Sequence, residues 1–291
     1  MSEAHLAPQT PRAYAAGNQV NSIVVMYAVL ERILKECLDL IDLMKKISLP
    51  AGILIQAPSG MGKTLLIDMI RRAIAARQVK SEFDRCLLIR LKSAVDLSKM
   101  SGQLLLALGY PTVPRANQAT WDQMIEIGMD RVRPEVILVD ELQHICQGNG
   151  TATAKKVTDS LKVIMDQFNV PLIGVGERDI EKLPMINPQF TGRAAANFVL
   201  NPFEYGETWR QLIAGYASQM TLVDPSQLNT GVARLLHTAS DGNMRNLKKI
   251  LVYASMHAAD KSDRKITLDE LAKAHEHTFG QGEGRANPFI K

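Results

Sequence analysis

Between Ser22 and Ile47 apolar residues recur at helical spacing: Val25, Val29, Ile33, Cys37, Leu40 and Met44, with charges between them. The spacing predicts an amphipathic helix that Pro50 closes, with an apolar face that must dock on something. The texture then changes to short, nearly continuous apolar runs: Gly52–Ala57, Cys86–Arg90, Val136–Val139, Leu172–Val175 and Phe198–Leu200. Such runs are the mark of strands buried on both faces of a parallel sheet. Helical patterns over 63–77, 100–109, 119–131 and 154–168 separate them, an alternation that predicts a three-layer α/β fold on a parallel five-stranded sheet.

From Tyr205 onward no strand pattern is present. The segments 205–220, 230–239, 243–259 and 267–278 read as helices, with turn signals at Asp224-Pro225 and Asp241-Gly242. The expected organisation is a flexible arm over 1–18, an N-terminal amphipathic helix over 19–50, a core over 51–203, a small all-helical domain over 204–279 and a flexible tail over 280–291. The arm carries Pro8, Pro11 and Gly17 among small and polar residues, too little apolar surface to order itself. The tail, GQGEGRANPFIK, reads as unstructured or as a docking peptide.

Composition narrows the function classes. With 34 basic and 30 acidic side chains among 291 residues the net charge is only +4, so a nucleic-acid site has to be a local patch. Cys37, Cys86 and Cys146 form no C-x-x-C pair, and their odd number argues against a disulfide framework or zinc module, pointing to the reducing cytoplasm. The N-terminus has no basic region followed by an apolar run, and Glu31, Arg32, Lys35 and Glu36 interrupt the longest apolar stretch. The N-terminus therefore does not read as a secretory signal, and the charges exclude a membrane span.

Two segments carry candidate chemistry. The strand ending at Gln56 leads into Ala57-Pro58-Ser59-Gly60-Met61-Gly62-Lys63-Thr64, and a helix starts at once with Thr64-Leu65-Leu66. A phosphate loop needs this order: backbone N–H groups wrapping phosphates, a lysine for the β and γ oxygens, a hydroxyl for Mg²⁺ and a helix N-terminus aimed at the anion. Ala57 stands where a glycine is usual, the smallest available departure. The second segment, Val136-Ile-Leu-Val-Asp140-Glu141, delivers two carboxylates at the end of a buried strand. Asp140 is the candidate Mg²⁺ ligand with Thr64, and Glu141 the candidate base that orients and deprotonates the attacking water. Residues Pro58 to Leu65 are the expected contacts of ATP.

Other positions are less specific. Glu177, after the fourth strand, is a candidate sensor of the γ-phosphate, but a carboxylate beside phosphate is repelled, so a contact with water, with an arginine or with a helix N-terminus is open as well. Arg193, just before the fifth strand, is a candidate arginine finger supplied across a subunit interface, and the alternative is a surface arginine. Arg245 opens a helix, a mildly unfavourable place for a cation, which favours a role at the γ-phosphate. Lys92 follows the second strand, and Lys99, Arg115 and Thr120 lie in the segment between the second and third strands, suited to a phosphate backbone or simply to solvent. Trp121 and Trp209 read as core or interface, and His144 with Cys146 are too few for a metal site.

Taken together, APSGMGKT, VILVDE, the segment GVGERDIEKLP, the Arg193 box and the DGNMR helix start resemble an AAA+ ATPase with a helical lid, and within it the TniB/TnsC group of transposition ATPases. The resemblance covers roughly residues 20–280 and departs at Glu177, where threonine is more usual. It implies an ATP-dependent regulator of transposition that assembles as a ring or helical filament on double-stranded DNA without strong sequence specificity, recruits transposase, works with a target-selection protein and disassembles when ATP is hydrolysed. It also implies that Lys63, Thr64, Asp140 and Arg245 of one protomer and Arg193 of the next enclose each ATP. Two alternatives stay open: an AAA+ loader or secretion-type ATPase acting on a protein partner, and a phosphate-loop kinase of a small metabolite, against which Glu141 and the helical lid argue.

Overall fold

The computed structural model of this chain describes residues 8–77, 84–147, 150–229, 231–280 and 286–290. They form two compact units, one holding residues up to Ala28 together with those from Asn201 onward, the other spanning Val29–Leu200. In chain order the elements are α1 (Pro11–Ser22), α2 (Ala28–Met44), β1 (Gly52–Gln56), α3 (Lys63–Arg77), β2 (Cys86–Arg90), α4 (Leu97–Ala107) and α5 (Gln118–Val132). Next come β3 (Val136–Asp140), α6 (Gly150–Phe168), β4 (Leu172–Gly176), the one-turn helices α7 (Leu183–Ile186) and α8 (Pro188–Thr191), and β5 (Ala194–Val199). Helices α9 (Glu207–Gln219), α10 (Val232–Ser240), α11 (Met244–Ala259) and α12 (Leu268–Phe279) follow. No helix among the described residues is long and apolar enough to cross a membrane.

The five strands make one sheet in the order β2-β3-β4-β1-β5, every pair parallel. Alternation along each strand divides the sheet into two apolar faces. Leu54, Leu87, Ile89, Ile137, Val139 and Leu172 join one core cluster with α4, α5, α6 and Phe190 of α8. Their neighbours Ile53, Ile55, Leu138, Ile173 and Val175 are as deeply buried on the other face. The step from β1 out to β2 runs opposite to the later steps, so a right-handed crossover carries α3 to that second face. There Leu66, Ile67, Ile70 and Ile74 of α3 are fully buried, and α2 is tied to α3 by Arg77–Asp42 at 2.6 Å. The three-layer architecture follows. Because all strands are parallel, every loop after a strand leaves from the same edge of the sheet.

The ends of the elements differ from the sequence expectation in four places. Residues 11–18 are helical where a flexible arm was expected: Thr10 caps α1 by accepting the Ala13 N–H at 3.1 Å, and Ala13, Ala16, Gly17 and Val20 are buried. These side chains are small because α1 lies close against α11; a Cβ at Gly17 would sit 2.9 Å from Met256 Cγ. Residues 1–7 lie outside the described residues. The single helix expected over 19–50 is two, because the β-branched run Ile23-Val24-Val25 leaves helical geometry, with Ile23 at φ −62° and ψ 130°. Val25 instead seats on Gly215 of α9, 2.5 Å from where a Cβ would be, and Val29 is exposed. β5 begins at Ala194, before the apolar triplet, because as an edge strand it alternates half-buried and exposed residues.

The fourth difference concerns the tail. Of the expected flexible segment 280–291, Phe289 is buried in the core of the helical unit, and Asn287 Nδ2 donates to the Ala272 carbonyl at 3.0 Å. Phe289 supplies the apolar area that the composition of the tail as a whole concealed. The core of this unit surrounds Trp209, whose indole N–H donates to the Ala233 carbonyl at 2.7 Å and whose face meets the edge of His237 at 5.1 Å. α12 starts with a capping box between Thr267 and Glu270.

Candidate functional site

β1 delivers the chain to the sheet edge at Gln56, and the turn that follows depends on two glycines in the left-handed region, Gly60 at φ +85° and Gly62 at φ +90°. Ala57 has no positive φ and is fully buried, so alanine fits at the position where glycine was expected. Its N–H donates to the Gly176 carbonyl at 2.8 Å, which pins the loop to β4. Met61 is buried beneath the turn, and the Met61 N–H donates to Pro58 at 3.2 Å. α3 begins at Lys63, so its unpaired first-turn N–H groups face the loop as an anion site. Lys63 is only 8% exposed; its Nζ donates to the Ala57 carbonyl at 3.2 Å and lies 3.0 Å from Glu177 Oε1. Thr64 is exposed in the first turn of α3.

β4 separates β1 from β3, so the residues after it stand between the loop and the carboxylates. Asp140, the last residue of β3, is buried. Burial first, and next the charge of Glu141, raise its pKa above the usual carboxylate value. Its Oδ1 accepts the Glu141 N–H at 2.9 Å, and Arg90 at the end of β2 is 3.6 Å from Oδ2. Two adjacent acids, one of them desolvated, present the hard oxygen donors that suit a divalent cation. Glu141 is held at φ +57°, a conformation rare for a side chain of its size and one that concentrates at functional sites.

One participant was not found from sequence. Gln143 lies in the short 3-10 helix Leu142–Ile145 and is buried; its Nε2 donates to Glu141 Oε2, and its Oε1 accepts the Glu177 N–H at 3.0 Å. The available signal was a lone amide between the apolar residues Leu142 and Ile145, which gives no direction. Glu177, left open between several contacts, pairs with Lys63. Nearby, Gln56 Nε2 donates to Glu181 at 2.8 Å and Gln147 Nε2 to Asp179 at 2.6 Å, fastening the segment after β4 to the end of β1 and to the chain just past the 3-10 helix.

The remaining predicted residues lie elsewhere. Arg193 precedes β5, and its carbonyl accepts the N–H of Gly52 at 2.9 Å, at the start of β1. It is therefore at the sheet edge opposite its own phosphate loop, about 15 Å away for a strand of this length. Its guanidinium is half-buried and bound to Asp166 of α6, with Nε unpaired and buried. Arg245 lies in the helical unit, in the first turn of α11, where its N–H is accepted by the Asn243 cap at 3.0 Å. Lys92 and Lys99 are exposed and border a cavity of about 230 Å³ with Leu91, Val95, Leu106 and Val113; the Lys99 ammonium donates to the Ala94 carbonyl at 2.7 Å. Arg115 is exposed, and Thr120 is spent on the cap of α5, its N–H and hydroxyl both donating to Asn117 Oδ1.

No curated protein sequence matches the chain. Among solved structures, the ORC1 protein of Aeropyrum pernix in complex with DNA is similar at 15% identity and a TM-score of 0.68, over 90% of this chain and 69% of that one. Cdc6p from Pyrobaculum aerophilum matches at 15% identity and a TM-score of 0.62, over 90% and 70%. The ADP form of the Aeropyrum pernix ORC2 protein matches at 17% identity and a TM-score of 0.62, over 89% and 72%. At such identities these likenesses establish the fold. The family described as Bacterial TniB protein matches residues 18–205, a stretch that takes in the whole sheet and the loop edge around Lys63, Asp140 and Glu141. On a fold it shares with these ORC and Cdc6 structures, the chain belongs to the TniB family.

Proposed function

We propose that this protein is an ATPase acting on DNA, a regulator of transposition that assembles on duplex DNA with ATP bound, recruits transposase and comes apart when ATP is hydrolysed. The observation that carries this reading is the meeting, at one sheet edge of a TniB-family chain, of a buried loop lysine with an adjacent pair of carboxylates. In this reading the loop N–H groups from Ser59 to Thr64 bind the phosphates, and Lys63 neutralises the β and γ oxygens. Thr64 and Asp140 would hold Mg²⁺, which would neutralise charge on those oxygens. Glu141 takes the proton of the water that attacks the γ-phosphorus, the bond to the β-phosphate oxygen breaks and ADP leaves.

Arg193 belongs in this scheme only as a residue given to a neighbouring copy, since its own loop is at the other edge of the sheet. Arg245 enters on the resemblance. Lys92, Lys99 and Arg115 are the candidate phosphate-backbone contacts, with no base readout. An ATPase that acts on a protein would instead be stimulated by that protein and indifferent to DNA.

Electron microscopy with duplex DNA and a non-hydrolysable ATP analogue tests the reading: rings or filaments are expected, and monomers that ignore both ligands would overturn it. Lys63→Ala should abolish ATP binding, whereas Glu141→Gln should bind ATP, lower turnover by at least about 100-fold and hold the assembled state. Equal loss of assembly in both variants would contradict hydrolysis as the release step.

A further inference from the structure

We propose that Gln143 is a positioning residue for hydrolysis, holding Glu141 ready and linking it to the phosphate-facing pair of Lys63 and Glu177. This rests on the reading of Glu141 as the base. The amide is caught between two groups of fixed character: the Glu141 carboxylate only accepts, and the Glu177 N–H only donates. One orientation of the Gln143 amide satisfies both, with Nε2 toward Glu141 and Oε1 toward the backbone after β4. The side chain is enclosed, so neither contact is readily replaced by water.

The backbone is shaped around this amide. Gly176 has no Cβ, and one placed there would lie 2.9 Å from Gln143 Oε1 and 3.1 Å from Gln143 N, so any larger residue would push the bridge away. Glu141 sits in the left-handed region immediately before the 3-10 helix that carries Gln143. A strained backbone and the hydrogen bond from Gln143 together fix where the carboxylate points. On the far side, Glu177 couples its N–H to Gln143 and its carboxylate to Lys63, so a shift of residue 177 toward or away from the lysine is felt at the base through a single amide. Gln143 touches neither nucleotide nor water in this scheme; it acts through Glu141.

Gln143→Met keeps the volume and removes both hydrogen bonds; Gln143→Glu keeps the shape and the acceptor but loses the donor to Glu141. Turnover and ATP affinity are measured separately in both, and in each combined with Glu141→Gln. The expected result is a fall in kcat of about 10- to 100-fold with ATP affinity unchanged within about threefold, since misplacing a catalytic group costs rate rather than binding. No further loss is expected on top of Glu141→Gln, because the two residues act as a unit. Near wild-type kcat in Gln143→Met, beside an inactive Glu141→Gln, would overturn the role of Gln143 and leave the ATPase reading intact. Loss of ATP affinity with a lowered Tm in both Gln143 variants would reduce the residue to a structural one. Undiminished turnover in Glu141→Gln would overturn the underlying reading itself.

Discussion

Lys63 and Glu177 show how one residue can be legible in kind and illegible in use. A carboxylate beside a candidate phosphate site looks misplaced in the sequence, yet at 3.0 Å from the loop lysine it would compete with a bound phosphate for the same ammonium. Glu177 is nearly half exposed, so the pair is screened and its strength modest. Glu177→Gln is therefore expected to tighten ATP binding by about two- to fivefold, as read by nucleotide titration, and unchanged or weaker binding would show that the carboxylate does not oppose phosphate. Ala57 has the simpler resolution: the loop needs glycine where φ is positive, at Gly60 and Gly62, and not at residue 57. Arg193 was a candidate finger in the sequence, but the side of the sheet it occupies depends on its contact with Gly52, far away in sequence.

At the scale of elements, buried-strand runs and helical periods found the sheet and most helices, because both signals come from residues close together in the chain. The misses lie where distant packing overrides composition. α1 is weakly amphipathic and rich in alanine, yet it forms because small residues let it lie close against α11. The tail is held by Phe289 and Asn287 against α12. Phe289→Ala should destabilise this end of the chain by about 1–3 kcal/mol, less than a central core residue because a terminal segment can release locally. Hydrogen exchange in α12 should rise with it, and unaltered exchange there would mean that the tail contributes nothing to the unit.

For the whole molecule the helical unit brings in a pH dependence. Burial first, and then the neighbouring His277, depress the pKa of His257 from 6.5 to about 4, and burial lowers that of His275 as well. Between about pH 4 and 6.5 the unfolded chain binds protons that the folded chain refuses, so stability rises with pH across this window and is complete above it. The half-buried setting of His257 limits the effect to the order of 1 kcal/mol. Thermal unfolding followed from pH 7 to pH 4.5 should show Tm falling, and His257→Phe should flatten the slope; an unchanged slope would remove His257 as a source. DNA affinity, if phosphates are the contacts, should fall at least about tenfold between 50 and 200 mM salt.

The sequence by itself determined the alternation of strands and helices, the all-helical final third, the phosphate loop and the carboxylate pair, because each is written in consecutive residues whose spacing maps directly onto local geometry. Only the tertiary structure decided that β4 lies between β1 and β3, and with it that residue 177 stands between the loop and Glu141, that Gln143 bridges Glu141 to the backbone after β4, and that Arg193 lies at the edge of the sheet opposite its own loop. Strand order brings together residues tens of positions apart, and no local period records it. Contacts that join two loops through one buried amide are fixed only once the sheet has placed both.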